Sequence, residues 1–418
     1  MNKFTYILRV IDAYVLKKHS HLDFWHGKLE GEVNDLGTRY EVQGTSKKNT
    51  GDRYEVLGTS KKNVGDRCEV QKKTGARCKV QGTGQNKEKE NELGTRNSEL
   101  GTVGGWEFWQ TFDYKAEYPG PFDENGVIIL DYRGVVGRQK YHIAISQYGL
   151  ACYNRWKRTN DKVWYDRFMA QVKWHEDNLK ANEKGIYLWY ANFDWEYHGI
   201  HKAPWPSGLA QGNGLSLLVR AYAETKEQKY FDMCEKVFKS MITEVKDGGV
   251  MVKGTDKKGT RYEVLGTSKS DTDTGTNTQY PIPVDGVDYW IEEAIVEPPT
   301  HILNGFMWAV MGIYDYYLLT GREDVKMWFD RFIKTIADNL HTFETGYWSL
   351  YEHSHTKIPM VASTFYHGLH LVQLEILYNI TKNKKFEEYL IKWKKYQKNI
   401  FKKAWAVAVK IIFKAVHF

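Results

Sequence analysis

From Ile143 onward, long stretches with helical spacing of apolar residues alternate with short polar turns. ISQYGLACYNRWK is followed by RTNDK and VWYDRFMAQVKWHEDNL; GLAQGNGLSLLVRAYAE by TKEQ and KYFDMCEKVFKSMITEV. ILNGFMWAVMGIYDYYLL precedes TGRED and VKMWFDRFIKTIADNL, and YHGLHLVQLEILYNI precedes TKNK and KFEEYLIKWKKYQ. The pattern predicts four helix hairpins, each with a threonine at the turn: Thr159, Thr225, Thr320 and Thr381. Hairpins repeating in this way build an α/α toroid, first helices inside and second helices outside; a stacked helical solenoid is the alternative. Upstream, WEFWQTFDYKAEYPGPFDENGVIILDY has Pro-Gly and Glu-Asn-Gly turns between short apolar runs. That predicts a small β-containing N-terminal part.

The turn threonines are 66, 95 and 61 residues apart. The long interval carries RYEVLGTSK at 261–269, a string that also occurs at 53–61. Removing 255–279 brings the middle spacing to 70, in line with its neighbours. Around the first copy, Tyr40, Tyr54 and Cys68 mark a 14-residue repeat rich in Gly, Thr, Lys, Asn and Asp. Such repeats bury little apolar surface, so ordering entropy should win and both segments read as insertions looping from an older fold. The expected organisation is an N-terminal segment 1–35, a repeat insertion 36–104, a β-containing segment 105–142, a toroid 143–398 interrupted near 255–279, and a basic amphipathic tail 399–418.

Net charge is +7, a mild basic excess that suits an acidic ligand and lacks the footprint of a nucleic-acid binder. The four cysteines show neither metal-like nor disulfide-framework spacing. Arg9 and Asp12 interrupt the apolar start, which reads against a secretory leader, and the expected location is cytoplasmic. No apolar run reaches the ~18 residues a membrane span requires. The tail NIFKKAWAVAVKIIFKAVHF reads first as a packed terminal helix, with peripheral membrane contact as the alternative. Aromatics make up 15% of the chain, which serves sugar stacking as well as a large core.

HLDFWHG, YPGPFDENGVIILDY, ISQYGLACYN, GLAQGNGLSLLVRAYAET, WIEEAIVEPPTHILNGFMWAVMGIYDYYLLTG, TGYWSLYEH and FYHGLHLVQLEILYNIT occur in order. Together they resemble the D-glucuronyl C5-epimerase family, whose members convert glucuronate to iduronate in heparosan and heparan sulfate. The resemblance covers about Ser20 to Lys395 outside the insertions, and it implies a β-rich part followed by an incomplete α/α barrel. It places a catalytic glutamate on Glu293, in Glu292-Glu293-Ala294, just ahead of Leu303-Asn304-Gly305-Phe306. Ala294 stands where the family has a catalytic tyrosine. Two further functional tyrosines fall on Tyr351 of LYEHSH, where Ser354 replaces an arginine and His355 is retained, and on Tyr366, beside His367. The resemblance also implies an acidic polysaccharide as substrate, no cofactor, and a homodimer.

C5 epimerisation takes a proton from the carbon beside a carboxylate and returns one from the opposite face. It needs two acid–base groups flanking the ring, plus donors against enolate-like charge. Glu293 and Tyr366 are assigned to the two faces, with Tyr351 as auxiliary donor or substitute base. A tyrosine base needs a pKa lowered by cations or donors, a task assigned to His355, His367 and His370. Glu292, Gln211, Asn304 and Trp205 complete the expected substrate contacts, with Trp195 and Trp290 as further stacking candidates. Gln211-Gly212-Asn213-Gly214 lacks the Lys and Ser/Thr of a phosphate loop. Glu352, His353 and His355 are too weak a pattern for a metal site. Taken alone, Glu293 would more often be a salt-bridge or capping residue, and each tyrosine a core residue. A polyuronate lyase shares the first step, and a non-catalytic glycan-binding relative is the third reading.

Overall fold

The computed structural model describes Trp25, Leu29, Val33, Asn34 and residues 107–132, 136–254 and 280–417. The chain divides into one unit made of Met1–Gly37 with Thr102–Phe418 and a second of Thr38–Gly101. The second unit, and all of the expected insertion 36–104, lies outside the described residues, as does the expected insertion at 255–279.

After a short turn α1 (Asp113–Ala116), four helix hairpins follow: α2 (His142–Thr159) with α3 (Lys162–Asn178), α4 (Gly208–Thr225) with α5 (Gln228–Met241), α6 (Leu303–Thr320) with α7 (Glu323–Asn339), and α8 (Thr364–Thr381) with α9 (Lys384–Lys398). A last helix, α10 (Ile400–His417), packs on α9. The first helix of each pair is buried over most of its circumference, whereas α5 and α7 bury one stripe. Consecutive first helices lie side by side, and each second helix covers its own partner from outside. The fold is therefore mainly α, an incomplete α/α toroid.

The turn threonines explain the repeat. Each ends an 18-residue inner helix, and its hydroxyl donates to the carbonyl four residues back, at 2.7–2.9 Å. The same oxygen accepts the N–H two residues on, at 3.2–3.3 Å. The residue between them turns left-handed in every case: Asn160, Lys226, Gly321 and Lys382 at φ 55–61°. Thr thus supplies the orphaned groups of a tight helix end with both a donor and an acceptor.

Close helix contact depends on small residues at one crossing. A Cβ on Gly212 of α4 would strike the backbone of Ala309 of α6, and one on Gly312 would strike the backbone of Gly212.

Strands are short and pair two by two: β1 (Leu130–Asp131) with β2 (Arg138–Gln139), β3 (Lys180–Ala181) with β4 (Tyr187–Leu188), β5 (Tyr190–Ala191) with β8 (Trp205–Pro206), β6 (Trp195–Glu196) with β7 (Ile200–His201), and β9 (Met251–Lys253) with β10 (Tyr289–Ile291). The last ladder pairs Met251 with Ile291 and Lys253 with Tyr289, and Gly254 N–H closes it on the Asp288 carbonyl at 2.7 Å. One closed base therefore joins the chain before 255 to the chain after 287.

Candidate active site

The second residue of every inner helix, Ile143, Leu209, Asn304 and Phe365, lines one cleft of about 220 Å³. Four helix N-termini thus surround it, bringing the positive ends of their dipoles to one place. Glu293, Tyr351 and Tyr366 line the same cleft. A larger and more open hollow of about 550 Å³ beside Asn178 and Lys180 contains no buried carboxylate. The chemistry is concentrated in the smaller one.

Glu293 follows β10 directly. Glu292 beside it is pinned by its N–H on the Val250 carbonyl and by its own carbonyl on Gly208 N–H, the first residue of α4. The Glu293 carboxylate has a distant amide donor, Asn304 Nδ2 at 3.5 Å. Gly305 leaves it room, because a methyl there would overlap the Glu293 side chain. Burial, then the charges of Glu352 and Glu292, raise the Glu293 pKa to about 8. It is a carboxyl that holds its proton near neutrality, as acid–base catalysts do.

Tyr351 precedes α8 in the chain, and its carbonyl accepts the first N–H of α6, from Leu303, at 3.1 Å. Tyr366 lies in the first turn of α8, with its N–H on the Ser363 cap at 3.2 Å. The two rings meet edge to face, centroids 4.9 Å apart. Burial, then Glu293, pushes the Tyr351 phenol well above its ordinary value. The expectation of a cation-lowered tyrosine is corrected on this point: Tyr351 is held as a neutral phenol, a proton donor rather than a ready base.

The histidines assigned to lower it do not do so. His367 is fully buried, stacked on Trp348 at 3.8 Å; its Nδ1 accepts from Ser349 N–H and its Nε2 lies 3.2 Å from the Trp393 carbonyl. His370 shares the Ser349 hydroxyl through Nδ1 at 2.9 Å. Burial lowers both pKa values, that of His367 to about 4, so both rings are neutral. His355 is exposed, with Nε2 on the Pro299 carbonyl. None of the three lines the cleft.

The other expected contacts divide. Asn304 lines the cleft, and its Oδ1 is buried without a partner. Glu292 turns away and holds His301 Nδ1 at 2.5 Å. Gln211 is buried and spent on Trp189 and Ser207. Trp205 stands behind the wall, donating to the Phe193 carbonyl, while Trp195 lines the cleft and Trp290 stacks on His301. His353 stacks on Phe343 at 3.9 Å, apart from His355, and among the described residues no cluster of metal-ligating side chains occurs. Ala294 is buried beside Tyr197 and Ile302, with Tyr351 against the same cluster.

Several groups at the site escape the sequence reading. The β6–β7 hairpin carries Tyr197 and His198 to the buried carboxylate of Glu352, which accepts from the Tyr197 hydroxyl and meets His198 Nε2 at 2.5 Å. From the far end of the chain, α10 lays Lys410 Nζ 5.4 Å from the Tyr351 ring centre. Burial, then Lys414, lowers the Lys410 pKa to about 7. One signal was present: Lys410 lies four residues after Ala406 and three before Phe413, the two buried residues of α10, and so on its inward stripe.

With this geometry in place, comparison with known proteins decides the family. Residues 182–395 match the family model of the D-glucuronyl C5-epimerase C-terminus. The chain belongs to that family. An uncharacterised protein of Methanocaldococcus jannaschii is 25% identical over 221 residues, which is 52% of this chain and 61% of that one. A D-glucuronyl C5-epimerase of Caenorhabditis elegans is 24% identical over 204 residues, 45% of this chain and 28% of its own length. The chain thus spans less than two thirds of either relative. Among solved structures, a family 76 glycoside hydrolase from a Bacteroides thetaiotaomicron strain is similar with a TM-score of 0.39 at 11% identity, covering 65% of this chain and 50% of that one. The Lin0763 protein of Listeria innocua gives 0.38 at 13% identity, covering 60% and 59%. The C5-epimerase family is one of isomerases. Among the described residues, no helix is long and apolar enough to cross a membrane.

Proposed function

We propose that this member of the C5-epimerase family inverts C5 of glucuronate residues in a heparosan-like or other uronate-containing polysaccharide. The observation that carries the reading is the meeting of Glu293, Tyr351 and Tyr366, from three distant stretches, around one cleft. Its volume of about 220 Å³ falls below the ~300–1,000 Å³ of most ligand sites, which suits a single sugar ring of a longer chain.

In this mechanism the ionised Glu293 removes H5, and the C–H electron pair moves into a C5–C6 enolate on the uronate carboxylate. A phenol, Tyr366 or Tyr351, returns a proton to C5 from the opposite face. The resulting tyrosinate is reprotonated from solvent, directly or through Lys410, which then takes a proton from solvent itself; Glu293 releases its proton to solvent, so the protein ends as it began. Lys410, with a pKa near 7, is suited both to stabilise a phenolate at Tyr351 and to supply that proton. The same proton traffic exchanges H5 for solvent deuterium. Because Glu293 must be ionised first, the rate should rise as pH passes about 8.

The test is incubation of de-sulfated or N-sulfated heparosan in heavy water, read by NMR at C5. Deuterium should enter, and Glu293→Gln should slow its entry by ~10²–10⁴-fold. No deuterium on any uronan tried would overturn the reading in favour of glycan binding without catalysis. A lyase would instead release an ultraviolet-absorbing unsaturated uronate.

A further inference from the structure

Besides the acid–base groups, the cleft wall includes Lys115 of α1 and Gln147 of the second turn of α2. Lys115 is 9% exposed, and its ammonium donates to Gln147 Oε1 at 2.7 Å and to the Trp25 carbonyl at 3.3 Å. It also sits 4.3 Å from the centre of the Trp25 ring. An ammonium fixed this firmly in low-dielectric surroundings acts on a neighbouring charge far more strongly than one in water. Gln147 is 1% exposed, and with Oε1 committed to Lys115 its Nε2 has no hydrogen-bond partner. A buried donor left unmade carries a desolvation cost that only an incoming acceptor recovers. Cation and open amide are joined by one hydrogen bond on one wall, which is the arrangement a two-oxygen anion accepts.

We propose that Lys115 and Gln147 seat the carboxylate of the uronate ring, the ammonium and the amide N–H each donating to one of its oxygens. The assignment rests on the epimerase reading above. It selects the carboxylate over a sulfate on a neighbouring sugar because C5 is bonded to the carboxylate carbon. A ring whose C5 lies between Glu293 and the phenols must hold its carboxylate inside the same small cleft. When H5 leaves, the negative charge grows on those carboxylate oxygens, so the seat also stabilises the charge that forms during reaction. Asn304, with Oδ1 open, is left to a ring hydroxyl.

The test measures binding by calorimetry in the Glu293→Gln protein, so that the ligand is not altered during titration. Two probes are compared: a heparosan hexasaccharide and the same hexasaccharide with its carboxylates reduced to alcohols. The uronate form should bind about 10-fold or more tighter. Adding Lys115→Met should bring the two probes to within about twofold of each other, by weakening the uronate alone. Adding Gln147→Leu, which keeps size and removes the donor, should narrow the gap by ~3–10-fold. If Lys115→Met does not fold, the Gln147→Leu comparison decides. Folded variants that keep the parent's preference for the carboxylate overturn the seat. So does a parent that binds both probes equally, and neither result touches deuterium exchange in the wild type. A parent that binds neither probe overturns the epimerase reading, and the seat with it.

Discussion

Two acidic side chains, one inside an inner helix and one ahead of it, have opposite fates. Asp315, inside α6, is fully buried and meets Arg220 of α4 at 2.7 Å and the Trp109 indole N–H at 2.7 Å. Glu293, ahead of α6, has the distant Asn304 amide as its donor, and burial, then the charges of Glu352 and Glu292, raise its pKa to about 8. A satisfied buried acid ties helices together and does no chemistry. An under-satisfied one stores a proton the molecule would rather not release, and that reluctance is what proton transfer to and from carbon requires. The comparison separates structural from chemical acidity within one helix's reach.

The largest expected effect breaks the structural half. Arg220→Met leaves Asp315 buried without its cation and should cost about 3–5 kcal/mol of stability, read by denaturant unfolding. Arg220→Met combined with Asp315→Leu should recover most of that loss. If the single change costs under about 1 kcal/mol, the pair is not what holds α4 to α6.

The chemical half makes the reverse prediction. The folded pKa of Glu293 lies above that of an ordinary glutamate, so its contribution to stability is full below about pH 4.5 and declines as pH rises through about 8. Glu293→Gln should therefore match the wild type in melting temperature near pH 4.5 and exceed it at pH 9. The gain should be on the order of 2 kcal/mol, less than the full shift would give because the side chain faces an open cleft. A variant that gains nothing at pH 9 would show that the ionised carboxylate is well solvated, and the contrast with Asp315 would fail.

The smallest effect tests whether both acids are insulated from the repeat string. Replacing Thr255–Gln279 by a short Gly-Ser linker should change stability by less than about 0.5 kcal/mol, since loop length enters closure entropy only logarithmically. It should also leave deuterium exchange within about twofold. A large loss of either would make that segment part of the fold.

How much of this was legible follows the range of the interactions. The toroid was, because the Thr turn is a local device: hydroxyl, carbonyl and N–H lie within seven residues, so the sequence repeats wherever the geometry does. Glu293, Tyr351 and Tyr366 were reached through motif resemblance, and their convergence follows from each standing at or ahead of an inner helix start. The histidines were misread because charge depends on surroundings. His367 and His370 were assigned as cations or donors, but burial keeps both rings neutral. Gln211 and Glu292 failed similarly, drawn off by backbone and His301. Lys115, Gln147, Tyr197 and Lys410 come from four separate stretches, and apart from the inward stripe of α10 no local pattern marks them as belonging to the site.

The closed ladder between β9 and β10 has a mechanical consequence. Glu293 stands two residues beyond the last rung, so its position is set on the near side of that clasp, whatever length of chain is spliced in on the far side. The length of chain between Gly254 and Asp288 is therefore not transmitted to the proton-transfer geometry. The repeated string at 261–269 falls within that span of sequence, and the three paired residues of β10 separate it along the chain from the carboxylate.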